Sequence, residues 1–229
     1  MRPELRRFGN SQFPVVVIDG FSGDSEAIAE IADALAPFPE KSSKSYYPGL
    51  RRVITEADEA ANAYVDRTCR DVAQFIAGAF DIESFSLAEA SFSMVTKLPF
   101  ELIEAQRIPH FDSANPKYLA LLHYLRVPAE SGTAFYRQRT TSIERVTEEN
   151  RPIFVAIAQA EAMRLPRDSG YIQGSTESFE QIGAVEAVPD RLVVYQGSLL
   201  HSGIIPKTMN FSPDPRQGRL TANFFLHGH

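Results

Sequence analysis

The 229 residues, 44% hydrophobic and 23% charged, have ordinary globular composition and enough apolar material for a sizeable core. A formal net charge of -6 argues against nucleic acid or an anionic membrane surface as the main partner, because both reward basic patches. The single cysteine, Cys69, rules out an intramolecular disulfide framework and suits a reducing compartment.

The opening stretch carries early positive charge, but its apolar run "VVVI" is shorter than the roughly 7–15 residues of a secretory core. No later stretch approaches the ~20 apolar residues of a membrane span. The expectation is a soluble cytoplasmic protein. "FPVVVIDGF" reads as a short strand closed by Asp19 and Gly20, and a helix follows with Ile28, Ile31, Ala32 and Leu35 at helical spacing. Pro37 and Pro39 stop it. Residues 45–52, "SYYPGLRR", read as a loop. Thr55 is then placed to cap a long helix whose Ala61, Tyr64, Val65, Cys69, Val72, Phe75, Ile76 and Ala79 form one stripe, with Asp81 at its exit.

From Phe85 the period changes to short β-rich runs: "FSLAEASFSMV", "KYLALLHYLRV", "GTAFYRQR", "RLVVYQG" and "RLTANFFLHG", punctuated by Pro, Gly, Ser and Asn. That pattern predicts an antiparallel sandwich or barrel. A helical stretch over 147–165 and a polar, Gly-rich stretch over 167–183 lie between the third and fourth runs. The chain is expected to be a single domain over 1–229, mostly β with flanking α-helices. Residues 1–83 supply an N-terminal strand and supporting helices, and 84–229 the β core with its helical insertion.

Side chains two apart on a strand share a face, so His110 and Asp112 in "RIPHFDSANP" project the same way. An imidazole and a carboxylate on one side of a sheet are two-thirds of the 2-His-1-carboxylate triad that holds Fe(II) with coordination positions open. Alone the pair is a weak signal. Some ninety residues on, "PDRLVVYQGSLLHSG" reads as a buried strand ending at His201, a natural place for a third ligand. "GRLTANFFLHG" follows, with Arg219 and Thr221 again two apart. An arginine facing an apolar barrel is costly unless an anion meets it, and its guanidinium fork suits a carboxylate.

With these residues the sequence resembles the Fe(II)- and 2-oxoglutarate-dependent dioxygenases, most closely the branch containing the prolyl hydroxylases. The pattern His-x-Asp, a distant His, then Arg-x-Ser/Thr matches His110, Asp112, His201, Arg219 and Thr221. "LLHYL" resembles the strand whose tyrosine reaches the distal carboxylate of the cosubstrate, here Tyr124, and "SGTAFY" resembles the glycine-containing strand beyond it. The resemblance implies a double-stranded β-helix of jelly-roll topology. It also implies Fe(II) on His110, Asp112 and His201, 2-oxoglutarate anchored by Arg219 with Thr221 and Tyr124, and dioxygen as co-reactant. The implied outcome is decarboxylation to succinate coupled to oxidation, usually hydroxylation, of a C–H bond in a small molecule, amino acid or peptide. Two departures stand out: Ser131 replaces a usual glycine, and Arg219 lies further from His201 than is common. The second leaves Arg216 as a rival anchor, although its place between Pro215 and Gln217 suggests a turn.

Plainer readings stand beside these. His110 and Asp112 also fit a hydrogen-bonded surface pair, His201 a strand-end residue, Arg219 an edge-strand charge and Tyr124 a core tyrosine. His123 points opposite Tyr124 and suits a structural role, and His227 and His229 a packed or loose tail. Tyr46, Tyr47, Arg51 and Arg52, with Arg137 and Arg139, fit either substrate contacts or ordinary loop and strand positions. Two rival functions remain: a cupin-type metal enzyme without 2-oxoglutarate, and a jelly-roll binding module without activity. Any assembly is expected to be a symmetric homodimer, the commonest soluble oligomer.

Overall fold

The structure is a computed structural model that describes residues 1–40 and 46–229; Ser45, the first residue of the expected 45–52 loop, lies outside them. Among the described residues, ten strands and three α-helices follow one another as β1 (Arg2–Phe8), β2 (Phe13–Asp19), α1 (Ser25–Ala34), β3 (Gly49–Val53), α2 (Glu59–Phe80), β4 (Phe85–Val95), β5 (Tyr118–Arg126), β6 (Gly132–Gln138), α3 (Arg151–Arg164), β7 (Phe179–Glu186), β8 (Arg191–Gln196), β9 (His201–Ile204) and β10 (Leu220–Gly228). They form a seven-stranded sheet in the order β1-β2-β8-β5-β10-β4-β3 and a three-stranded sheet in the order β7-β6-β9, every pairing antiparallel. An isolated antiparallel bridge between His110 and His201 adds a rudimentary fourth line to the small sheet. Among the described residues no helix is long and apolar enough to cross a membrane.

Strand alternation builds three layers. On β10, Leu220, Ala222, Phe224 and Leu226 turn outward and pack with β5, β8 and the stripe of α2 (Ala61, Tyr64, Val65, Val72, Ile76). The opposite faces of the strands enclose an interior between the sheets, where Val15, Val17, Ala120, Tyr124, Phe135, Val193 and Tyr195 meet. Helix α3 covers the far side of the small sheet through Phe154, Ala158 and Ala162 against Ala134, Tyr136 and Leu200. The result is the expected jelly-roll core with flanking helices.

Several boundaries differ from the sequence reading, each for a local reason. The second half of the 45–52 loop is the edge strand β3, which pairs with β4 from Gly49↔Val95 to Val53↔Ser91. Thr55 does not cap α2. Its N–H and hydroxyl both donate to the Asp58 carboxylate, closing a turn, and the helix starts after Asp58. The strand expected to end at His201 ends at Gln196 instead. The chain then turns, with Leu199 N–H on the Gln196 carbonyl, and His201 opens β9 in the other sheet. Thr147 and Asn150 bond each other's backbone N–H groups, so the helix within 147–165 begins at Arg151. The last residues of the polar 167–183 stretch belong to β7.

Candidate metal centre

The centre starts from backbone pairing. His110 N–H donates to the His201 carbonyl at 2.9 Å and His201 N–H to the His110 carbonyl at 2.8 Å, so two segments ninety residues apart are locked side by side. Asp112 N–H donates to the Gly197 carbonyl at 2.7 Å, tying the next turn to the end of β8. Gly197 is required there, since a Cβ would lie 2.9 Å from Tyr118 Cδ1 and 3.1 Å from Asp112 Cβ.

His110 Nε2 stands 3.9 Å from Asp112 Oδ1, and His201 Nε2 stands 3.6 Å from Asp112 Oδ2. These separations are too long for hydrogen bonds. One donor atom from each of the three residues lies within 4.8 Å of the others, which suits three ligands around one ion. The tautomer of His201 is set by Nδ1, which donates to the Leu199 carbonyl at 2.7 Å and leaves the Nε2 lone pair facing Asp112. Burial disfavours the imidazolium and draws His201 down to about 4, so it is neutral at pH 7. His110 is likewise drawn down to about 4 by its packed surroundings and by His201, against the pull of Asp112, while 55% of its side chain meets solvent. Burial pushes the Asp112 carboxyl up to about 6, against the pull of His110 and Arg51. Two neutral imidazoles and a carboxylate without a close cation are a donor set that a divalent ion completes.

Arg219 sits just ahead of β10, only 5% exposed, with its Nε buried and lacking a hydrogen-bond partner. Its guanidinium carbon lies 5.7 Å from the centroid of the Tyr124 ring. Tyr124 spends its hydroxyl on Thr133 Oγ1 at 2.7 Å, and the Thr221 hydroxyl donates to Asn223 Oδ1 at 2.8 Å. Tyr47 hydrogen-bonds Thr221, and burial raises its phenol against the pull of Arg219 and Arg51. Tyr124 and Tyr195 are raised by burial too, so all three phenols stay neutral. Arg219 carries the deep positive charge.

Other singled-out residues divide cleanly. Arg51 faces the interior, where it pairs with Glu89, donates to Ser91 Oγ at 2.9 Å and lies 5.8 Å from the Phe225 ring centroid. Arg52 turns away to Asp58 at 2.6 Å, and Tyr46 is exposed. Arg137 pairs with Glu144 and Glu180, Arg139 donates to the Thr176 carbonyl, and neither belongs to the centre. Arg216 is 61% exposed near Asp33 and Asp214. His123 is buried between Tyr64 and Asp190, His227 packs on Tyr118, and His229 meets Ser86. Sequence reasoning missed Gly197, Tyr118 and Tyr195, whose ring lies 4.8 Å from that of His201.

A family profile, described as a family of unknown function (DUF6445), matches residues 1–226. The chain belongs to that family. No curated protein matches it. Among solved structures, apo HygX from Streptomyces hygroscopicus is similar over 95% of this chain and 84% of its own, at 13% identity and a TM-score of 0.55. HygX with nickel and 2-oxoglutarate bound gives 0.53 at 12% identity over the same shares. SnoN, a non-heme alpha ketoglutarate dependent epimerase from nogalamycin biosynthesis, covers 93% of this chain and 78% of its own, at 13% identity and a TM-score of 0.54. At these identities the likeness is one of fold, and the fold is the double-stranded β-helix expected from the sequence.

Proposed function

We propose that this member of DUF6445 is a non-haem Fe(II)- and 2-oxoglutarate-dependent oxygenase that hydroxylates a C–H bond of a small molecule, amino acid or peptide. One observation carries the reading: three convergent donors on two paired backbone segments share a barrel interior with a buried arginine that forms no ion pair among the described residues. His110, Asp112 and His201 would hold Fe(II), leaving positions for the cosubstrate and dioxygen. The bound ion supplies the redox chemistry.

The chain's own residues do the rest. Arg219 offers a planar fork to the distal carboxylate of 2-oxoglutarate, with the Tyr124 ring lying over that guanidinium. The Thr221 hydroxyl is two residues along the same face, within reach of the same ligand. Leu199, Phe135 and Tyr195 exclude water around His201. SnoN, of similar fold, is an epimerase, and hydroxylation is the outcome proposed for this chain.

The test is spectroscopic. Anaerobic Fe(II) with 2-oxoglutarate should give the visible charge-transfer band of the chelate, and Asp112→Ala should abolish it. Arg219→Ala should weaken 2-oxoglutarate binding by roughly a hundredfold while leaving metal affinity within about twofold. A wild-type protein without the band would favour a cupin-type enzyme or a binding module. Equal loss of metal and cosubstrate in Arg219→Ala would mean that the anchor lies elsewhere.

A further inference from the structure

A cavity of about 240 Å³ lies between the C-terminal end of α3, the loop that follows it and the segment around Lys207. None of His110, Asp112, His201, Arg219 or Thr221 lines it. Its walls carry two buried opposite charges, Arg107 at 7% and Glu161 at 8% exposure, that are not paired with each other. Arg107 donates from Nη1 to the Pro166 carbonyl at 3.2 Å and from Nη2 to the Leu102 carbonyl at 2.6 Å, while its Nε is buried without a partner. Two neutral carbonyls satisfy N–H groups but do not neutralise a guanidinium. Among the described residues no carboxylate stands within ion-pair distance of it. Burying such a cation is costly unless an anion meets it.

Glu161 is committed differently: one oxygen accepts from Gln138 Nε2 and the other from Thr140 Oγ1, both at 2.8 Å. Lys207, exposed at the rim, brings a second positive charge to the same cavity. The lining also carries an apolar and aromatic share, formed in part by Ile172, Tyr171 and Phe179. Tyr171 presents its ring there because its hydroxyl is spent on the Lys97 carbonyl at 2.7 Å.

We propose that this cavity is a second ligand site, one that takes a small monocarboxylate with a ring-sized apolar body. The carboxylate meets Arg107 and Lys207, and the body lies against Tyr171 and Phe179. Glu161 sets the charge limit, since a second carboxylate in the same cavity would share it with a buried like charge. The site therefore discriminates against dicarboxylates, including the cosubstrate proposed for Arg219, and its occupancy does not depend on the metal.

Calorimetric titration of the full chain with benzoate, its neutral isostere benzamide and succinate tests this. To silence the other anion site, the same titrations are run on Arg219→Ala. Benzoate is expected to bind one to one and equally well to the wild type and Arg219→Ala, with benzamide, and succinate in the Arg219→Ala background, at least tenfold weaker. Arg107→Gln should weaken benzoate at least tenfold. Lys207→Gln, at an exposed position that tolerates exchange, should weaken it two- to fivefold, so the proposal is testable even where Arg107→Gln fails to fold. No benzoate binding at millimolar concentration, equal binding of benzoate and benzamide, or loss in Arg219→Ala with none in Lys207→Gln would each overturn it.

Discussion

Gly197 contributes no side chain, and Asp112 occupies the space that leaves. The Asp112 N–H reaches the Gly197 carbonyl, and an added methyl group would press on both Asp112 and Tyr118. Gly197→Ala should therefore displace a ligand rather than remove it. We expect roughly tenfold weaker binding of Ni(II), read by calorimetric titration, together with a stability loss of about 1–3 kcal/mol in urea. Wild-type metal affinity in this variant would show that Asp112 is positioned by something else. At this scale the ligands were legible as a closely spaced pair, although the strand expected to carry them is reduced to a single bridge at His110, with Asp112 in the bend that follows. Gly197 was not, since a glycine after a strand reads as an ordinary turn residue. The Tyr47 contact with Thr221 was equally hidden, because it depends on the chain entering β3 beside β4.

β10 does two jobs with one alternation. Its even-numbered residues, Leu220 to Leu226, face the helices, and its odd-numbered Thr221, Asn223 and Phe225 face the interior. A slip of one residue would exchange the two sets, so the outward apolar face fixes the depth at which Arg219 enters the barrel. Phe224, fully buried with its ring 5.6 Å from that of Tyr64, is the centre of that face. Phe224→Ala should cost about 3–5 kcal/mol in denaturant unfolding, and a loss under 1 kcal/mol would refute its place in the core. Long elements such as α2, β5 and β10 could be read from the sequence because they repeat their pattern several times. β9 has four residues and β3 five, too few for a period to show, and β7 is only partly buried along most of its length. These are the elements that carry or flank the centre, so the site was clearer as a set of residues than as a piece of architecture.

Across the molecule, one buried polar chain ties the helices to the barrel. Tyr64 on α2 bonds His123 Nδ1 on β5 at 2.7 Å, and His123 Nε2 meets Asp190 Oδ1 at 3.0 Å. Asp190 also accepts from the backbone of Ser22 and Gly23 beyond β2. Burial lowers His123 from its ordinary 6.5, against the opposing pull of Asp190, so the folded protein holds it neutral. Burial also penalises the Asp190 carboxylate, but hydrogen bonds from His123, Ser22 and Gly23 outweigh that and hold its carboxyl well below the usual range. As pH falls through 6.5 the unfolded chain takes up the proton first, so this contribution to stability is complete above 6.5 and is lost on acidification. One such proton is worth at most about 1.4 kcal/mol per pH unit. Replacing His123 by Gln should cost about 1–3 kcal/mol at pH 7 by breaking the chain of bonds. It should also make the decline between pH 6.5 and 5 shallower than in the wild type by up to that one-proton slope. Urea midpoints of both proteins across pH 5–8 measure the difference, and coincident slopes would mean that the neutral His123 does not govern how the helices stay on the barrel in acid.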